Sequence, residues 1–190
     1  MSSGRRIDFS APQRTSAALP SPRRYPRLAA GLLLACLFLS APAFAAPLST
    51  AFLPFTLQDT SLPAPNSPPE PADLARLRLI DDEVQQLLVR SGDYAAVDTQ
   101  PIARAIAEND LVGCTTCAVS LARQLGAQAV LTGWVQKVSA LIINMTIIIR
   151  SVATGKIIAA GNASLRGDTD IAWERAASWL VAHRLLPQKP

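Results

Sequence analysis

Apolar residues recur along the chain with two different periods, and the change between them divides it into elements. Between Ala72 and Arg90, residues Leu77, Ile80, Val84, Leu87 and Leu88 fall on one stripe of a 3.6-residue repeat. Asp81, Asp82, Gln85 and Gln86 lie opposite, and Ser91-Gly92 follows as a stop. The spacing predicts an amphipathic helix. Ile102, Ala105 and Ile106 predict a shorter one after Pro101, ending near Asn109, and Ala118, Leu121, Ala122 and Leu125 predict another from about Cys117 to Leu125, closed by Gly126. Thr169 is placed to cap a last helix reaching Arg184, with Trp173, Ala176, Ala177 and Leu180 inward.

From Ala129 the repeat becomes alternating. Residues 129–138, 141–151 and 156–166 read as strands, the last two joined by the turn Thr154-Gly155. On the middle strand Ile143, Met145, Ile147 and Ile149 share one face, and Asn144, Thr146 and Arg150 the other. Ser49–Leu57 and Tyr94–Val97 read as earlier strands, the first containing Pro54. The order is β-α-β-α-α-β-β-β-α. Helical crossovers favour parallel pairing and short turns favour hairpins. The expected fold is a single α/β (α+β) domain over residues 46–190, with a mixed sheet of about five strands and helices mainly on one face. The five prolines between Asp59 and Pro71 make 59–71 an extended loop.

The apolar run Leu28–Leu39 stands outside this pattern. Arg23, Arg24 and Arg27 precede it and Ser40-Ala41-Pro42-Ala43-Phe44-Ala45 follows, the layout of a secretory signal peptide with cleavage after Ala45. The run is short for a membrane span, so none is expected once the leader is removed. Leu33-Leu34-Ala35-Cys36 offers a different processing route, lipidation of Cys36, although the residues after it stay apolar. Residues 1–45 hold six arginines and one acid, leaving 12 basic and 13 acidic residues downstream. The net charge of +4 for the whole chain thus becomes −1 for the domain, which argues against nucleic acid as a partner.

In an oxidising compartment Cys114 and Cys117, the two cysteines left, are expected to pair. Such a pair either pins the loop to the following helix or, with one thiol's pKa lowered at the helix start, exchanges disulfides. His183 is the chain's single histidine, near the end of the last helix. Zinc needs four ligands, and two cysteines with one histidine do not supply them, so no metal or other cofactor is expected. Arg166-Gly167-Asp168-Thr169-Asp170 joins the last strand to the last helix. It reads either as turn and capping chemistry or as a recognition loop whose carboxylates meet a basic partner. Lys137, Asn144 and Arg150 are placed on the outward, polar side of the sheet, where they either meet solvent or line a partner surface.

Several stretches together resemble a bacterial family of exported proteins of unknown function. They are Phe52-Leu53-Pro54-Phe55, Cys114-x-x-Cys117 ahead of Ala122-Arg123-Gln124-Leu125-Gly126-Ala127, Leu131-Thr132-Gly133-Trp134-Val135-Gln136-Lys137-Val138-Ser139, Leu141-Ile142-Ile143-Asn144, and Arg166–Asp170 with Trp173. More loosely, the layout is similar to the amino-terminal domain of TolB and to curli-secretion and penicillin-binding-protein-activator lipoproteins. That likeness implies a non-catalytic periplasmic module working through protein contacts. It supplies no catalytic residues. Apart from the likeness, the sheet face and loops read as a surface for a protein or small ligand, with Lys137, Asn144, Arg166, Asp168, Asp170 and Trp173 as candidate contact residues.

Overall fold

The computed structural model describes residues 46–61 and 68–187. The expected signal peptide, Cys36, and residues 62–67 of the proline-rich loop lie outside them.

The elements run β1 (Leu48–Phe52), β2 (Thr56–Asp59), α1 (Pro71–Arg90), β3 (Tyr94–Val97), a 3-10 turn (Gln100–Ile102), α2 (Ala103–Ala107), α3 (Thr115–Gln124), β4 (Ala129–Ser139), β5 (Ile142–Ser151), β6 (Ile157–Leu165), α4 (Asp170–Leu180) and a wide π turn (Val181–Leu185). The sheet order is β3-β1-β4-β5-β6, with β2 also on β4. β1 runs parallel to β3 and β4, and β2 parallel to β4. The β4-β5 and β5-β6 pairs are antiparallel. The sheet is mixed, as expected, but has six strands. Pro54, which brings no N–H, breaks the expected Ser49–Leu57 strand in two. Both halves lie along β4, which contacts β1 through Ala129–Leu131 and β2 through Trp134–Lys137. At the break Phe55 folds its ring over Gly133, where a Cβ would collide with it, and Phe55 N–H donates to Asp81 Oδ1 (2.8 Å).

Two apolar clusters sit on opposite sides of the sheet. Leu77, Ile80, Val84 and Leu88 of α1 and Trp173, Ala177 and Leu180 of α4 cover Leu131, Val135, Ile143, Met145, Ile147 and Ile149. Each fully buried side chain of this size stabilises by about 1.5–3 kcal/mol. On the other side Ala118, Leu121 and Ala122 of α3 meet Ala51, Leu53, Val130 and Val152. Helices therefore lie on both faces, α1 and α4 over one and the shorter α2 and α3 over part of the other. The uncovered part of the α3 side carries Asn144, Thr146, Asn162 and Ser164. Ser164 Oγ donates to Asn144 Oδ1 (2.6 Å) and Asn162 Nδ2 to Thr146 Oγ1 (2.7 Å).

Lys137 is not on that polar side. The ladder pairs Lys137 with Ile143 and Gln136 with Asn144, so Lys137 shares the buried face under α1. It is 6% exposed. Alternation within a strand is strict, and Leu131, Val135 and Lys137 are an even number of residues apart.

Candidate functional site

Lys137 anchors a closed group of charges where the end of β4, the start of α1 and the β6-α4 loop meet. Its Nζ lies 2.8 Å from Asp73 Oδ2 and 2.7 Å from Asp168 Oδ2. Arg76, one turn along α1, places NH1 2.9 Å from Asp73 Oδ1 and 3.0 Å from Asp168 Oδ1, and its Nε 2.9 Å from Asp170 Oδ1. Trp173 Nε1–H donates to Asp168 Oδ1 (3.1 Å), and the Arg76 guanidinium stands 6.0 Å from the Trp173 ring centre. Burial works against both cations, but the carboxylates outweigh it. Asp170, Asp168 and Asp73 hold Arg76, and Asp168 and Asp73 hold Lys137, protonated above their ordinary ranges. Such a group ties three segments together, since removing one member leaves a buried charge uncompensated.

The loop that reads as turn chemistry or recognition is thus divided. Gly167 takes φ +91°, the left-handed bend, and Thr169 Oγ1 caps α4 by accepting Ala172 N–H (3.3 Å). Asp168 and Asp170 turn to the cations. Lys137, Asp168, Asp170 and Trp173 are brought together. Asn144 and Arg166 are elsewhere, Asn144 on the opposite face and Arg166 exposed beside β6. Asp73 and Arg76 are the members that the sequence pattern did not single out. Asp73 nevertheless lies in register with Leu77, Ile80, Val84 and Leu88 on the buried stripe of α1.

Arg166 opens a second feature. α4 and the π turn press on β6 at Gly161, where a Cβ would crowd Leu180 and Arg184. Along β6 towards Arg166 a groove of about 530 Å3 runs between strand and helix, bounded by Asn162, Ser164, Arg166, Arg175 and Trp179. Trp179 is 42% exposed, with the His183 ring stacked on it at 5.0 Å and the Arg184 guanidinium 5.6 Å from its centre. His183 Nδ1 is also 2.9 Å from Trp179 O, in keeping with its expected place at the helix end. At the adjoining β4-β5 turn, Leu141 is 71% and Ile142 55% exposed.

Beyond the carboxyl ends of β1 and β3 lies a crevice of about 580 Å3 bordered by Pro54, Asp81, Asp82, Gln85, Thr99 and Gln100. Burial pushes the Asp81 carboxyl up to about 7, against the Phe55 N–H bond that favours its charged form. Elsewhere, Cys114 and Cys117 form a disulfide at the start of α3, with Cys117 N–H directed at Cys114 Sγ (3.2 Å). Among the described residues no group of His, Cys, Asp and Glu has the arrangement to hold a metal ion, and no helix is long and apolar enough to cross a membrane.

No curated protein matches this chain. Among solved structures it is similar to the LpoB C-terminal domain from Salmonella enterica, at 19% identity and TM-score 0.46, over 70% of this chain and 93% of that one. It is similar to the PelC dodecamer from Paraburkholderia phytofirmans at 12% identity and TM-score 0.46, over 75% and 91%. It is similar to TolB from Acinetobacter baumannii at 14% identity and TM-score 0.40, over 73% and 29%. The family described as "Protein of unknown function (DUF2380)" matches residues 48–185, from the first residue of β1 to the last of the π turn, and the chain belongs to that family.

Proposed function

We propose that the domain is a non-catalytic accessory module of the cell envelope, exported by its leader, and that it acts by holding a protein partner. The observation that carries this reading is the exposure of Leu141, Ile142 and Trp179 beside the Arg166 end of β6, with Ile157 and Ile158 exposed at its other end. Apolar side chains gathered on one side of a domain favour a protein contact. The buried charges support it too. Lys137, Arg76, Asp73 and Asp168 satisfy one another, as a strut does.

Photo-reactive residues at Leu141 and Trp179, in the full chain made in its native cells, test the reading. One discrete protein adduct is expected. Absence of any adduct from both positions, in variants that still complement a deletion, would falsify it. Intact-mass measurement of the mature protein tests export: a chain beginning at Ala46 is expected, and a lipid on Cys36 would instead make the module a tethered assembly factor.

A second reading, a thiol-disulfide accessory protein, is favoured by one contact. The Cys117 N–H pointing at Cys114 Sγ in the first turn of α3 is an arrangement that stabilises a thiolate. Replacing both cysteines with serine separates the two. Loss of biological role at unchanged fold supports redox work, and retention of the role excludes it.

A further inference from the structure

We propose that the outer edge of β6 is a strand-addition site for an extended, acidic segment of a partner protein, with Arg166 and Arg175 receiving its carboxylates. The proposal rests on the protein-contact reading above and names the place and chemistry of the contact.

The edge strands of the sheet differ. β2 and β3 are four residues long, whereas β6 runs for nine, Ile157–Leu165. On its outer side β6 pairs with no other described strand, and no backbone hydrogen bond from another described segment reaches it. Long open edges are ordinarily guarded by charge, proline, a bulge or a covering loop. From Ile157 to Leu165 the edge has neither charged residue nor proline, and its irregularity falls only at the Arg150 end. At about 3.3 Å per residue it offers roughly 30 Å of unpaired backbone. An extended peptide is the ligand that such an edge can pair with main chain to main chain.

Charge decides between occupants. Arg166 and Arg175 border the groove beside β6, both exposed, and neither forms an ion pair among the described residues. Arg184 adds a third cation at the Trp179 ring. Among the described residues no acidic one borders the groove. A second copy pairing through its own β6 would bring Ile157–Leu165, which contains no carboxylate, and would leave the arginines unanswered. A segment alternating acidic and apolar residues turns all its carboxylates to one face, and that face, laid along the groove, brings them to the arginines.

The experiment uses the mature domain and a blocked nonapeptide of alternating valine and glutamate. Backbone amide spectra and hydrogen exchange are expected to show shifts and at least tenfold slower exchange confined to residues 157–166, with a shift of the Trp179 indole. The same peptide with lysine for glutamate is expected to give neither. The double variant Arg166→Glu/Arg175→Glu, checked for unchanged melting, is expected to bind the acidic peptide at least tenfold more weakly. No protection by the acidic peptide, or equal protection by the basic one, overturns the proposal. So does protection of 157–166 in the free protein together with a concentration-dependent dimer in sedimentation, which would assign the edge to a second copy. If a partner trapped at Leu141 binds the double variant undiminished, protein contact stands and strand addition at β6 fails.

Discussion

Lys137 occupies a position where the alternation of β4 calls for an apolar side chain, and Asp73 does the same on the stripe of α1. Each makes the other tolerable, because their ion pair and the bonds to Asp168 and Arg76 replace the water both have lost. Lys137→Ala is therefore expected to cost about 3–5 kcal/mol, measured by urea unfolding, since it leaves the Asp73 and Asp168 carboxylates without their buried cation. Combining Asp73→Asn with Lys137→Met is expected to recover a large part of that loss, and a double variant as weak as the sum of the singles would show that the two do not couple. Asp81 gives a pH prediction of definite sign. Its carboxyl rises from 3.8 in the unfolded chain to about 7 in the fold, because burial disfavours the charged form. The fold thus favours the protonated group. Its contribution is fully present below about pH 4 and disappears as pH rises through 7, by up to a few kcal/mol at 1.36 kcal/mol per pH unit. Asp81→Asn keeps an acceptor for Phe55 N–H and removes the titration, so its stability profile between pH 4 and 8 is expected to lie flatter than that of the parent protein.

At the scale of elements, α1, β3, β4, β5 and β6 were legible because a single period runs through each and the turn residues Gly92 and Gly155 punctuate them; both glycines take positive φ. The first strand is less legible, because Pro54 lets Phe52 and Leu57 remain apolar while the ladder stops and restarts between them. The local pattern carries the last helix to Arg184 as one piece. It becomes a π turn at Val181, where Tyr94 O–H donates to Leu185 O (3.1 Å), a bond across 91 residues that no local pattern reveals. The charge group was half legible for the same reason: Asp168 and Asp170 stood out in a short loop, whereas Asp73 and Arg76 looked like ordinary polar residues of an amphipathic helix. The disulfide belongs to this scale as well. It closes a ring of four residues at the first turn of α3, so loop-closure entropy allows only about 2 kcal/mol. Cys114→Ser/Cys117→Ser is expected to lower stability by no more than that, with faster amide exchange confined to the start of α3 and the preceding loop. Faster exchange in β5 or β6 would mean that the bridge supports the sheet as a whole.

At the scale of the whole molecule, two apolar clusters share one sheet, and each strand of the β1-β4 pair contributes to both. Ala51 and Val130 face α3, while Ala129 and Leu131, their neighbours along the same ladder, face α1 and α4. Opening either cluster exposes the backs of strands that the other cluster needs in place, so neither side is expected to melt alone. Leu180→Ala, on the α4 side, and Leu121→Ala, on the α3 side, are each expected to cost about 2–5 kcal/mol. Both are expected to shift a single transition in which near- and far-ultraviolet dichroism coincide. A second transition appearing only in Leu121→Ala would mean that α3 is a separable lid over Ala51 and Val130, and that the partner surface at β6 rests on the α1-α4 layer by itself.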